Sequence, residues 1–221
     1  MDKKALNQQS QHWEINFSNK PEMFGLSQSI AAEKALKFFK KNKINKIIEF
    51  GAGLGRDSVF FFNILINKNT LDYSTGGRDI IEQKIKKNNL TKYLSTKLFD
   101  IRKKLPFEDN SIEACYSHML YCMALSNNDL KNLNNEILRI LKPGGINIYT
   151  VRHIKDGDYK NGLPIGEDLY ENDGFIVHYF SKEKINSLLQ GFININLENF
   201  EEGSFPRKLF YVVNIKKIKN Q

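Results

Sequence analysis

The stretch IIEFGAGLGRD, residues 47–57, constrains this chain more than any other. A short apolar run ends on an acid, three glycines follow at alternate positions, and a polar stretch suited to open a helix comes next. Glycine lets the backbone bend sharply and approach a ligand with no Cβ in the way. Such a turn belongs after the first strand of an open α/β sheet, at the carboxyl ends of the strands, where ligands bind. The rest of the sequence agrees, because short apolar runs alternate with longer amphipathic ones, as in a sheet with crossover helices. No repeat or linker divides the 221 residues, which suffice for one substantial core. We therefore expect one domain over residues 1–221.

Strands are predicted at KIIEF (46–50), up to Asp72, at YLSTKLFD (93–100), IEACYSH (112–118) and INIYTVR (146–152). Two more, near 193–199 and 207–216, lie close enough in sequence for an antiparallel hairpin. Ser29 caps a helix in which Ala32, Ala35, Leu36 and Phe39 recur at helical spacing. Further helices are predicted through DSVFFFNIL (57–65), over 76–88, and over 181–190 after Ser181. Ser126 and Asp129 form a capping-box pattern opening a helix to Leu141, which Pro143 stops, with Gly144 suited to a left-handed cap. Residues 1–28 read as an irregular or partly helical lid carrying Trp13, Phe17 and Phe24. Residues 153–180 read as a long polar loop inserted at the substrate side.

The glycine loop discriminates among ligands. A phosphate-binding P-loop needs GxxxxGK[ST], which is missing. A dinucleotide loop needs GxGxxG, but here the third glycine comes one residue early, and Asp57 in the first helical turn would repel a phosphate. The expected ligand lacks phosphate, which leaves S-adenosylmethionine. Acids sit where its polar groups need acceptors: Glu49 ends the first strand, Asp72 the second, for the ribose hydroxyls, and Asp100 the third, for the adenine amino group.

These residues bring a resemblance with them. EFGAGLGRD (49–57), LDYS (71–74), FDIRKKLPFEDNSIEACYSHML (99–120) and EILRILKPGG (136–145) resemble the class I S-adenosylmethionine-dependent methyltransferases, in particular the branch with a type 11 core. The flanks are similar to uncharacterised microbial methyltransferases and, more distantly, to tellurite-resistance-type enzymes. The resemblance implies a Rossmann-like, seven-stranded, mostly parallel sheet with an antiparallel last strand and helices on both faces. Gly51, Ala52, Gly53 and Gly55 would form the loop at the methionine part of the cofactor. Tyr73 would lie beside the adenine, Asp100 and Ile101 at its edge, and Ser117 near the reactive end.

Methyl transfer is chiefly positioning, and needs a base only where the nucleophile must lose a proton. His118 follows the fourth strand and is the candidate base. Trp13, Tyr121, Cys122, Arg152, His153, Tyr170, His178 and Tyr179 are the candidate substrate contacts. YSHMLYC (116–122) replaces the [DN]PP[YF] of amino-group enzymes acting on bases or glutamine, and no Pro-Cys of cytosine-C5 enzymes is present. The expected acceptor is a small molecule, either a metalloid or chalcogen species or a polar metabolite.

Neither Cys115 nor Cys122 belongs to a metal-binding spacing, and no metal is expected. The net charge of +8 raises an RNA methyltransferase as an alternative. However, the lysines are scattered at helix ends and beside loops, as on a solvated surface. A non-catalytic cofactor-binding protein is another alternative, and a nicotinamide oxidoreductase a distant one. No apolar run is long enough to span a bilayer, and the first residues lack the apolar core of a secretory signal, so a cytoplasmic location is expected.

Overall fold

The computed structural model describes residues 3–20, 23–25, 27–62, 67–87, 94–203 and 207–218. Five parallel strands build the centre: β1 (Lys46–Phe50), β2 (Asn67–Asp72), β3 (Leu94–Leu98), β4 (Ile112–Ser117) and β5 (Leu141–His153). They lie side by side as β3-β2-β1-β4-β5. β9 (Phe192–Glu202) and β10 (Arg207–Lys216) complete the sheet, with β10 antiparallel to both β5 and β9. This is the expected seven-stranded arrangement. Its central strands are buried on both faces, as the Ile- and aromatic-rich runs require.

Three further strands correct the expected count. β6 (Leu163–Gly166), β7 (Leu169–Asn172) and β8 (Phe175–Phe180) form an antiparallel meander where a polar loop was expected, giving ten strands among the described residues. β5 outlasts β4, and its last residues pair with β8, Arg152 with Tyr179 and His153 with Phe180. The meander thus sits beyond the carboxyl end of β4. His178 ties it down: its N–H donates to Cys122 O and its Nδ1 lies 2.8 Å from Leu125 O.

Residues 3–19 form one helix, α1 (Lys3–Asn19), the helical part of the segment expected to be irregular or partly helical. It docks on the meander and on α4 (Thr75–Lys87). The Gln9 amide bonds both Gly174 O and the Ile176 N–H, and Trp13 and His12 pack their rings on Phe175. Glu14 accepts from Ser74 Oγ and from the Gly76 N–H, capping α4 from outside.

α2 (Ile30–Lys41) buries Ala31, Ala32, Ala35, Leu36 and Phe39 against the sheet. α3 (Arg56–Phe62) follows the glycine loop; the expected continuation of that helix to Leu65 lies outside the described residues, as do the last residue of the 76–88 helix, the start of YLSTKLFD and part of the β9–β10 connection. α6 (Lys182–Ser187) follows its Ser181 cap. α5 (Asn127–Ile140) opens on the expected capping box: Ser126 Oγ accepts from the Asp129 N–H while the Asp129 carboxylate accepts from the Ser126 N–H. Ser126→Ala is expected to cost about 1 kcal/mol. A thermal melt should fall by roughly 2–4 °C, with ligand affinity unchanged because no residue of α5 lines the groove.

Candidate active site

The carboxyl ends of β1, β2 and β4 frame a groove whose opposite bank is α1. The inner part, about 850 Å³ with its open mouth, is floored by the glycine loop and Asp72 and walled by Trp13, Phe17, Phe24, Met119, Leu120 and Met123. The outer part, about 1060 Å³, runs past Asp100, Ile101 and Arg102 beneath Gln9 and Ser10 of α1. Tyr73, Leu120 and Met123 line both parts, so the two adjoin at these side chains.

Gly51 sits in the left-handed region at φ 68°, and a Cβ there would lie 2.9 Å from Leu120 Cδ1. Only glycine lets the loop pass beneath that side chain. The Gly53 N–H donates to Asp72 Oδ2 at 2.7 Å, and the Ser74 N–H to Oδ1 at 2.8 Å. The Asp72 carboxyl is therefore fixed at the groove floor. Burial pushes its pKa up to about 6 against these bonds, and the neighbouring Glu14 carboxylate adds to the rise. Glu49 is buried at the strand end and accepts from Ser58 Oγ. Ala52 also lines the inner part.

Asp100 lines the outer part, where the Arg102 guanidinium and N–H engage both its oxygens. Burial opposes its charge, yet the Arg102 bonds outweigh burial and hold its pKa below the ordinary value. His118 lines the inner part, with Nδ1 3.0 Å from Thr150 Oγ1 and Nε2 3.6 Å from Glu202 Oε2. Burial keeps the imidazole below its usual pKa despite the nearby Asp57 and Glu202 carboxylates, so it is neutral near pH 7.

Several expected site residues do not line the groove. Gly55 packs instead on α4, where a Cβ would meet Ile81 Cγ1 at 2.6 Å. Ser117 is buried at the end of β4 and its Oγ makes no hydrogen bond. Tyr121 and Cys122 are corrected most plainly. The chain turns inward after Met119, so Tyr121 stacks on Tyr149 and bonds Asn147. Cys122 donates to Met119 O, and burial pushes its thiol up to about 11.

Arg152 is a buried staple of the meander, bound to Asp156 and Asp158. His153 packs on Phe210, its Nδ1 accepting from the Lys155 N–H. Tyr170 and Tyr179 cluster with Tyr159 inside the meander. His178 lies in the core, its pKa lowered to about 4 by burial and the Lys184 ammonium. Of the expected substrate contacts, Trp13 alone lies in the groove wall.

Sequence reasoning missed Arg56, Glu14 and Glu202, and it missed what Asp57 holds. Arg56 donates to Phe24 O and to Glu202 Oε1, closing one side of the inner groove. Asp57 holds the groove's back wall, accepting from the Ser29 N–H, Ser29 Oγ and Tyr116 Oη. Its position in the first helical turn was visible, but its partners lie 28 and 59 residues away. Among the described residues no group of three or more His, Cys, Asp or Glu could hold a metal, and no helix is long and apolar enough to cross a membrane.

Comparison with known proteins places this geometry. A family model described as a methyltransferase domain matches residues 48–149, the part that contains the glycine loop and Asp72. Among solved structures, an S-adenosylmethionine-dependent methyltransferase of Methanosarcina mazei superposes with a TM-score of 0.69 at 17% identity, over 79% of this chain and 93% of that one. The 1,6-didemethyltoxoflavin-N1-methyltransferase of Burkholderia thailandensis, with bound 1,6-didemethyltoxoflavin and S-adenosylhomocysteine, gives 0.74 at 12% identity, over 95% and 87%. The magnesium protoporphyrin IX methyltransferase of Synechocystis PCC 6803, with bound S-adenosylhomocysteine, gives 0.74 at 9%, over 96% and 100%.

Residues 48–149 thus match a methyltransferase domain, and the chain has the fold of S-adenosylmethionine-dependent methyltransferases of known structure. No curated protein matches the sequence, and nothing in the comparisons shows the tellurite-resistance-type similarity.

The groove's own residues fit the cofactor. A loop too tight for a Cβ gives close backbone approach, and the Asp72 and Asp100 carboxylates along the groove offer acceptors to hydroxyl and amino donors. When bound, the cofactor supplies an electrophilic methyl group.

Proposed function

We propose that the chain methylates a small molecule with an apolar or aromatic body. Asp72 would accept the ribose hydroxyls, with Gly51, Ala52 and Gly53 beneath the methionine part and Glu49 behind them. Tyr73 would lie against the adenine, with Asp100 and Ile101 at its edge. The acceptor would occupy the inner end of the groove. The observation that carries this reading is the make-up of that end: Trp13, Phe17, Phe24, Met119 and Met123 form its walls, with His118 and Arg56 as its polar rim. Flat apolar walls with few polar groups suit a compact organic acceptor.

An RNA acceptor would call for a basic mouth. Instead the acids Glu49, Asp57, Asp72 and Asp100 line the groove beside the bases Arg56, Arg102 and Lys103, so its lining is mixed rather than basic. Lys40, Lys41, Lys46, Lys142 and Lys216 lie at the end of α2 and at the opposite ends of the strands from the groove. Turnover of the cofactor across a panel of aromatic and heteroaromatic small molecules, read as S-adenosylhomocysteine formed, tests the proposal. Release with such an acceptor and none with RNA is expected. Release with RNA alone would overturn it, and cofactor binding without turnover on any acceptor would favour a non-catalytic binder.

A further inference from the structure

Behind the His118 and Met119 wall of the groove's inner end lies a buried hydroxyl that the methyl-transfer reading leaves without a role. Thr150 is fully buried on β5 and places Oγ1 2.8 Å from the Met119 nitrogen and 3.0 Å from His118 Nδ1. A threonine hydroxyl has one proton to give and two lone pairs to accept with. The Met119 N–H can only donate, so it takes a lone pair. Among the described residues, His118 Nδ1 is the other hydrogen-bonding atom at this hydroxyl. The hydroxyl proton therefore goes to Nδ1, which must be unprotonated to receive it. In a neutral ring the remaining proton then sits on Nε2.

Two independent features agree. Nε2 faces Glu202 Oε2 at 3.6 Å, and that carboxylate oxygen is buried with no hydrogen bond of its own. A proton on Nε2 is the arrangement such a neighbour favours. Met119 is held at φ 60°, a left-handed conformation that costs a non-glycine residue about 1–2 kcal/mol, and its N–H is anchored by the same Oγ1. One hydroxyl thus fixes both the wall residue and the imidazole beside it.

We infer that Thr150 is a positioning residue that holds His118 as the Nε2–H tautomer, so that His118 meets the methyl acceptor as a hydrogen-bond donor rather than as a base. The acceptor clause rests on the function proposed above; the tautomer clause does not. An acceptor recognised this way shares Nε2–H with the Glu202 carboxylate, so it presents a neutral lone pair, such as that of an unprotonated ring nitrogen, rather than a second anion. No proton passes to His118.

Long-range ¹H–¹⁵N correlation spectra of the ligand-free, ¹⁵N-labelled protein test the inference, with the His118 signals assigned by their loss in His118→Asn. A pyrrole-type resonance at Nε2 and a pyridine-type one at Nδ1 are expected. Thr150→Val should replace this pattern with that of mixed tautomers, and Thr150→Ser should restore it. His178, whose Nδ1 faces the Leu125 carbonyl, supplies the opposite tautomer as an internal reference. A proton on Nδ1 of His118 in the unmodified protein would overturn the inference. So would an unchanged pattern in Thr150→Val. If that variant does not fold, the unmodified protein and Thr150→Ser still decide. Calorimetric titration of the same sample with S-adenosylhomocysteine checks the methyltransferase reading separately, so failure of one is distinguishable from failure of the other.

Discussion

Asp57→Ala should lower the unfolding free energy by about 3–5 kcal/mol, the largest loss expected from any single change at the groove. The Asp57 carboxylate receives the Ser29 N–H at 2.7 Å, Ser29 Oγ at 2.6 Å and Tyr116 Oη at 3.0 Å, all buried. Its removal orphans the Ser29 N–H and leaves the Ser29 and Tyr116 hydroxyls, 3.2 Å apart, with one acceptor fewer between them, each lost partner at about 1–3 kcal/mol. The damage spreads because Ser29 Oγ also caps α2 through the Ala32 N–H, so one carboxylate fastens α2, α3 and β4 together. Thermal melting should show a drop of roughly 6–20 °C. A melt within 2–3 °C of the unmodified protein, as roughly 1 kcal/mol would give, would show that the network carries no such weight.

Asp72→Ala should weaken S-adenosylhomocysteine binding by about 1–3 kcal/mol, or roughly 5- to 150-fold, by calorimetry. The carboxylate is the expected acceptor of the ribose hydroxyls, and it also holds the Gly53 N–H of the loop. Unchanged affinity would remove Asp72 from the site. The pKa of about 6 gives the same residue a pH signature. Hydroxyl donors prefer the charged carboxylate, so affinity in the unmodified protein should be flat above pH 7 and fall below about 6, approaching tenfold per pH unit. Folding of the ligand-free protein runs the other way. A pKa raised from 3.8 to about 6 means that this group's stabilising contribution is present below pH 3.8 and lost as pH rises to about 6. Asp72→Asn should abolish both dependences.

The elements around Asp57 and Asp72 show what can be read from a sequence. The glycine loop and the Ser29 and Ser126 caps are local features, each decided by a few neighbouring side chains, and they stand as expected. By contrast, β5 opens already at Leu141, so that Pro143 and Gly144 lie in the strand instead of stopping and capping α5, and β3 closes at Leu98, two residues before Asp100. The meander is harder. Asp173-Gly174 is a two-residue hairpin signal between Asn172 and Phe175, and it was legible. The other turn hides because Glu167 and Asp168 both take left-handed angles, φ 58° and 63°, with no glycine at either position to announce it.

The inner wall failed for a related reason. Proximity to the end of β4 suggested Tyr121 and Cys122, but left-handed Met119 turns the chain so that His118, Met119, Leu120 and Met123 face the groove instead. Glu14 and Glu202 reach the site from opposite ends of the chain, and only the folded sheet brings them there.

The docking of α1 has a practical consequence. Trp13 is the single tryptophan of the chain, and it packs against Phe17, Phe24 and Phe175 in the wall of the groove. Indole emission from this protein therefore originates at one place, with no second fluorophore of its kind to dilute it. Light emitted there reports the seating of the first helix against the ligand cleft, and an optical titration needs no label.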